Sequence, residues 1–215
     1  MSKLIGIYGG TFDPVHLGHT SAAKEVQVAL GMDEVRLVLS AQPPHRAQPM
    51  LTVKQRFALL TLAVANDDNL IADSREMLRS GPSYMVDTLS AMRHEMPDYS
   101  LVLILGMEAF NGMTQWHQWQ QLLELAHIVV TDRAGFDNEL NESVMDLVSA
   151  HQTFDKNQLR QASHGKIFRQ NVTPLDISAT TIRSRMQSKQ TVKHMLSPEV
   201  WAEIERNKLC PGQSN

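Results

Sequence analysis

Short runs of consecutive apolar residues alternate along the chain with longer stretches whose apolar positions recur every three or four residues. The first pattern predicts strands buried on both faces, the second helices that cover them. Strands are predicted at residues 3–8, 34–39, 69–73, 100–106, 126–131 and 166–170. The run 100–106, with Leu101-Val102-Leu103-Ile104-Leu105, is the most apolar. Helices are predicted at 17–30, 52–65, 83–95, 108–113, 119–125, 138–150, 179–187 and 198–207, while 151–165 reads as irregular. End signals support several of these. Gly31 follows the first helix as a C′ residue, Thr52 with Gln55 fits a capping box, Ser83 suits an N-cap, and Ser197-Pro198 opens the last helix.

Strand–helix alternation of this kind specifies an α/β protein with a doubly wound parallel sheet. A small helical segment, about 178–209, closes the C-terminal end, and no linker divides the span 1–215 into two domains. Ligands of such sheets bind beyond the carboxyl ends of the strands. The places to look are therefore just after Tyr8, Leu39, Asp73, Gly106 and Thr131.

Composition narrows the function classes. With 215 residues, 42% hydrophobic and 20% charged, the chain is ordinary globular material. Lys plus Arg is 20 against 23 Asp plus Glu, a net charge of -3. That balance excludes a nucleic-acid wrapper or a polybasic membrane binder, so any anion site is local. The single cysteine, Cys210, permits no intramolecular disulfide and suits a reducing compartment. No run approaches the roughly 18 apolar residues of a membrane span. The start is too short for a signal peptide before it meets glycines, so a cytoplasmic protein is expected. The 12 methionines are scattered, as gap-fillers are. His94, His127, His151, His164 and His194 share no spacing and read as structural, as do Trp119 and Trp201.

The dense chemistry lies at Gly9-Gly10-Thr11-Phe12-Asp13-Pro14-Val15-His16-Leu17-Gly18-His19. Two glycines allow positive φ and a close backbone approach to a ligand, and their N–H groups can cradle a phosphate. Asp13-Pro14 makes a rigid turn. The helix that follows aims its unpaired N–H groups at the same place. His16 and His19, three apart, share one face. Two imidazoles beside a glycine bend suit an oxyanion that gains charge during a reaction. A zinc site is the weaker reading, because the spacing is H-x-x-H and no cysteine is near. Purely local capping by the two rings is a second alternative.

These residues resemble the G-G-T-F-D-P-x-H-x-G-H signature of the H-x-G-H nucleotidyltransferase superfamily. Over nearly the whole length the chain is similar to the bacterial nicotinate-nucleotide adenylyltransferases. The resemblance extends through Pro43-Pro44-His45-Arg46, Gly81-Pro82-Ser83-Tyr84, Gly106-x-Glu108, Trp116-His117-x-Trp119 and Ile177-Ser178-Ala179-Thr180-Thr181-Ile182-Arg183. It implies a Rossmann-like nucleotidyltransferase fold and transfer of AMP from ATP to nicotinate mononucleotide. The products are nicotinate adenine dinucleotide and pyrophosphate, and Mg²⁺ is carried mainly by the ATP phosphates. The acceptor phosphate is itself the nucleophile, so catalysis rests on positioning and charge stabilisation.

By the same resemblance, Gly9, Gly10, Thr11 and Phe12 hold phosphates, and His16, His19 and Arg183 act in catalysis. His45, Arg46, Ile177, Ser178 and Thr180 belong to the phosphate site; Ser178 and Thr180 are read as caps of a helix start, and Arg183 as a forked phosphate contact. Gly106 admits the nucleotide against bare backbone, Glu108 faces the ribose where the family carries Asp, and Arg133 lies by the adenine. Ser83, Tyr84, Met85, Trp116 and His117 form the nicotinate pocket, with Met85 replacing the family's threonine. No protein-held metal, nucleic acid or membrane is implied, and the oligomeric state is left open.

The Met85 departure keeps nicotinamide mononucleotide, or another phosphorylated acceptor, as an alternative. The pantetheine-phosphate enzymes are shorter and lack the Ser83-Tyr84 and Trp116 segments. An aminoacyl-tRNA synthetase needs a longer chain and a tRNA-binding part. A catalytically inactive nucleotide-binding regulator is the alternative of a different class; intact His16, His19 and Arg183 speak against it. An interaction module would need a large exposed apolar patch.

Overall fold

The computed structural model describes residues 2–44, 48–132 and 140–209. His45, Arg46, Arg133 and Cys210 lie outside the described residues. Six parallel strands form one sheet: β1 (Leu4–Gly10), β2 (Glu34–Leu39), β3 (Leu70–Asp73), β4 (Ser100–Gly106), β5 (His127–Asp132) and β6 (Ile167–Asn171). Their order is β3-β2-β1-β4-β5-β6, with the reversal between β1 and β4. Gly10 pairs with Leu39 and Gly106 with Thr131, so both glycines end at the carboxyl edge of the sheet.

Burial shows why these runs become central strands. Leu101 to Leu105 are all 5% exposed or less. Each such side chain contributes about 1.5–3 kcal/mol on leaving water. Two cores lie on opposite faces. One holds Leu4, Val35, Leu37 and Leu39 under helices α1 (Leu17–Leu30) and α2 (Val53–Val64). Short α7 (Gln158–Gln161), α8 (Ala179–Gln187) and α9 (Pro198–Arg206) add Leu159, Ile182, Met186, Val200 and Ile204 to that face. The other core holds Ile5, Ile7, Leu101 and Leu103 under α3 (Met85–Glu95) and α4 (Met107–Gly112). Two further helices, α5 (Leu122–Leu125) and α6 (Glu142–His151), complete that layer. Among the described residues no helix is long and apolar enough to cross a membrane.

Predicted boundaries hold within one or two residues for most elements, and the exceptions have local causes. The first strand continues through Gly9 and Gly10, because both pair with β2. The last turn of the fourth predicted helix and the first of the fifth tighten into 3₁₀ segments at Met113–Gln115 and Trp119–Gln121. Helix α6 starts late, at Glu142, where the Asn141 side chain accepts the Val144 N–H. The N-cap of α3 is Tyr84, not Ser83, whose hydroxyl is engaged elsewhere. Gly31 does close α1, at φ 61°, and Thr52 and Gln55 do form a capping box. Trp119 and Trp201 are partly buried against the two cores, one on each.

Candidate active site

The bend after β1 is built differently from the sequence expectation. Neither Gly9 nor Gly10 has positive φ; Phe12 does, at 48°. The glycines are needed for space. A Cβ on Gly10 would come 2.7 Å from the Phe12 ring, which lies across it. A Cβ on Gly9 would come 2.5 Å from the Met85 methyl. Side chains from both directions therefore lie against bare backbone at the end of β1. The Phe12 ring is 2% exposed and meets His19 edge-on, with centroids 5.0 Å apart.

His16 and His19 flank the start of α1, and their rings stack at 3.7 Å. His16 is the N-cap, and its backbone N–H donates to Nδ1 of His19 at 3.3 Å. An accepting Nδ1 assigns the proton of neutral His19 to Nε2. That nitrogen is then a donor. His16 is 8% exposed, and burial pushes its pKa down to about 4. It is neutral near pH 7, which also removes charge repulsion between the stacked rings. Its Nδ1 is buried without a hydrogen-bond partner among the described residues. Gly18 leaves the room this ring occupies: a Cβ there would stand 3.0 Å from His16 Nδ1 and 3.5 Å from the Ile177 carbonyl oxygen.

That last distance brings the start of α8 beside the start of α1. Ser178 caps α8, its hydroxyl accepting the Thr181 N–H at 3.0 Å. Thr180 is no cap. Its hydroxyl accepts from Arg183 Nη2 at 3.2 Å, while Arg183 Nη1 donates to the Asp13 carbonyl at 2.7 Å. The guanidinium thus reaches the bend, but its fork rests on Asp13 and Thr180. The Asp13 carboxylate lies 3.8 Å from the same nitrogen and accepts the N–H groups of Met50 and Leu51.

Across the reversal point, Gly106 is open: the nearest atom to a Cβ there would be Thr131 Oγ1, at 3.9 Å. Glu108 is exposed in the first turn of α4. Tyr84 and His117 stack at 4.3 Å, and Trp116 packs against the neighbouring core. The structure therefore joins Tyr84 and His117 as the sequence led one to expect, with Met85 reaching toward Gly9. Ser83 accepts the Gln42 N–H through its hydroxyl and donates its own N–H to the Gln42 carbonyl.

Five further residues contribute in ways not foreseen. Arg56 is 2% exposed and donates to carbonyls of Thr11, Ser40, Ala41 and Leu51. Its signal was present, because it shares the apolar stripe of α2 with Leu59, Leu60 and Val64. Asp13 was read only as part of a turn. Buried Glu76 accepts from Thr88 at 2.6 Å, and Arg79 donates to Thr88 and to the Tyr84 carbonyl. This chain pins the segment leading into Tyr84. Its members are scattered in sequence and show no spacing.

A parallel sheet in this order is the doubly wound nucleotide-binding fold, with the histidine-bearing helix start at its reversal point, and the family match makes the class that of the nucleotidyltransferases. The cytidylyltransferase-like family profile matches residues 7–185. A protein of Methylococcus capsulatus is 44% identical over 207 residues, covering 96% of this chain and 99% of its own length. One of Aeromonas hydrophila is 40% identical over 205 residues, covering 95% and 96%. Both carry the name probable nicotinate-nucleotide adenylyltransferase. The chain belongs to the nicotinate-nucleotide adenylyltransferase family. Its fold is also that of a solved Plasmodium falciparum nicotinic acid mononucleotide adenylyltransferase complexed with NaAD. That match has a TM-score of 0.73 at 18% identity, covering 96% of this chain and 97% of the other.

Proposed function

We propose that this protein transfers AMP from ATP to nicotinate mononucleotide, releasing pyrophosphate, as a step in NAD biosynthesis in the cytoplasm. The observation that carries the reading is the helix start where His16 and His19 stack beside the bare strand end Gly9-Gly10. An oxygen of the acceptor phosphate forms a new bond to the α-phosphorus. The bond from that phosphorus to the bridging oxygen breaks, and its electron pair leaves with pyrophosphate. No proton need be removed from the nucleophile. His19 Nε2–H donates to the oxygens gaining charge, and the neutral His16 ring fixes His19 from its other face. The first N–H groups of α1 and α8 add oriented positive ends. Arg183, held over the bend, offers its charge to the departing phosphates. ATP enters as its magnesium complex. The cation is carried mainly by the substrate's phosphates, which suits the preference of Mg²⁺ for few protein ligands.

We assign the acceptor ring to the Tyr84–His117 stack at the start of α3, whose N-cap supplies no side-chain acceptor to the first-turn N–H groups. Those N–H groups suit a carboxylate. The direct test supplies each mononucleotide, acid or amide, with ATP, with and without Mg²⁺. We expect the acid dinucleotide and pyrophosphate in equal amounts, dependent on Mg²⁺. Binding of ATP without product would instead identify a regulator.

Met85 sets a second expectation. Its methyl covers Gly9; a threonine here is shorter, leaves the glycine uncovered and carries a hydroxyl. Met85→Thr should raise the kcat/KM ratio of acid over amide mononucleotide about 10- to 100-fold, the equivalent of one hydrogen bond to a charged group, roughly 1.5–3 kcal/mol. An unchanged ratio removes Met85 from acceptor selection.

A further inference from the structure

Arg56 is the largest of the fully buried side chains, and it makes no direct ion pair among the described residues. Burial disfavours its charge, opposed by the nearby Asp13 carboxylate. Its donors go to main-chain carbonyls of three separate segments. Nη1 bonds Thr11 O at 2.8 Å and Ser40 O at 2.7 Å, Nη2 bonds Ala41 O at 3.1 Å, and Nε bonds Leu51 O at 3.3 Å.

The planarity of the peptide gives these bonds a consequence beyond packing. In a trans peptide, C=O and N–H point in opposite directions. With its Thr11 carbonyl drawn inward to Arg56, the Thr11–Phe12 unit turns the Phe12 N–H outward, at the bend assigned to phosphate. The Ala41–Gln42 unit, held by its carbonyl in the same way, turns the Gln42 N–H to Ser83 Oγ, where it bonds at 3.0 Å. Ser83 returns its N–H to the Gln42 carbonyl at 2.9 Å. Ser40, between the two units, donates its N–H to the Gly10 carbonyl at 2.8 Å.

We propose that Arg56 is a positioning residue that sets the distance between the two substrate sites, holding the Thr11–Phe12 bend and, through Gln42, the Ser83–Tyr84 wall on one guanidinium. This assignment rests on the adenylyltransferase reading. Arg56 acts through main-chain carbonyls, to which its donors are committed. Each half-site is built largely by its own strand and helix, so losing the clamp shifts the halves relative to each other. A displacement near 1 Å between reacting groups costs up to about 10²-fold in rate.

The test is Arg56→Lys, which keeps the charge and loses the fork. We expect kcat per folded molecule to fall about 10- to 100-fold, with KM for each substrate within about threefold of wild type. Backbone amides of Ser40, Gln42 and Ser83 should exchange hydrogen at least about tenfold faster together, while Ile128, far across the sheet, keeps its rate. A lower Tm with wild-type kcat in the folded fraction overturns the proposal, as does exchange accelerated equally everywhere. Should Arg56→Lys fail to fold, Ser83→Ala severs the far end of the chain; a kcat loss of about three- to tenfold with faster Gln42 amide exchange and acceptor KM within about threefold supports the clamp, and an unchanged kcat, or a raised acceptor KM with unchanged Gln42 exchange, overturns it. If the wild-type protein makes no dinucleotide, the proposed activity fails, and amide exchange alone decides the clamp: unchanged rates at Ser40, Gln42 and Ser83 in the variant refute it.

Discussion

Replacing His19 with alanine should lower kcat by about 10²–10³ while leaving ATP affinity within a few-fold, the pattern for losing a contact made in the transition state. The geometry is the reason for expecting so large an effect. His19 is held by the His16 N–H on one nitrogen and by stacked and edge-on rings on both sides. Its orientation is therefore set before substrate arrives, and that is where preorganised donors gain their effect. The measurement is steady-state kinetics with ATP varied, joined to direct nucleotide binding by calorimetry. A rise in KM alone, with kcat kept, would place His19 in ground-state binding. Asparagine at this position retains an N–H donor on a shorter side chain and should recover part of the rate.

The second large effect is on stability in mild acid. Two histidines are buried with pKa values pushed down to about 4, His16 and His127, against an ordinary value of 6.5. The cause is burial in both. For His127 the nearby charges of Arg93 and Lys166 add to it, Nδ1 accepts the Lys166 N–H at 3.0 Å, and the bond from Nε2 to the Ala162 carbonyl at 2.9 Å opposes it only in part. That arrangement uses the neutral ring on both sides. Above pH 6.5 both states are neutral and the groups contribute nothing to pH dependence. Between pH 6.5 and 4 the unfolded chain binds protons that the folded chain does not, so unfolding free energy falls as pH falls. Below pH 4 the effect levels off. Each histidine is worth up to roughly 3 kcal/mol over that window, against a typical total of about 5–15 kcal/mol. Urea unfolding at pH 7, 5.5 and 4.5 should show a steady decline, and His127→Gln should remove about half of the slope. Equal stability at pH 7 and 4.5 would contradict the burial argument for both rings.

The sheet was readable because its strands are unbroken apolar runs with one environment on both faces. Such runs leave little freedom in type or place, and 100–106 is the clearest example. The histidine pair was readable because its partners are adjacent in sequence and the helix start is signalled locally. What sequence pattern did not show was how distant segments meet. Phe12 takes the positive φ because its ring has to lie across Gly10, and that demand is tertiary. Ser83 gives up its capping role to Gln42, some forty positions away. Arg56 has no local signature beyond its place on the apolar stripe of α2, and only the three segments converging on it show its role. Glu76, Thr88 and Arg79 follow the same logic.

The sulfur-bearing side chain laid over Gly9 has a consequence for breadth. An unbranched thioether has three rotatable bonds and a soft, polarisable surface, so it yields to the outline of whatever ring arrives instead of demanding a fixed donor. With the acceptor bound where we propose, this wall should be more forgiving of altered pyridine substituents than one with a rigid hydroxyl there, which would make the protein a natural starting point for preparing unnatural dinucleotides.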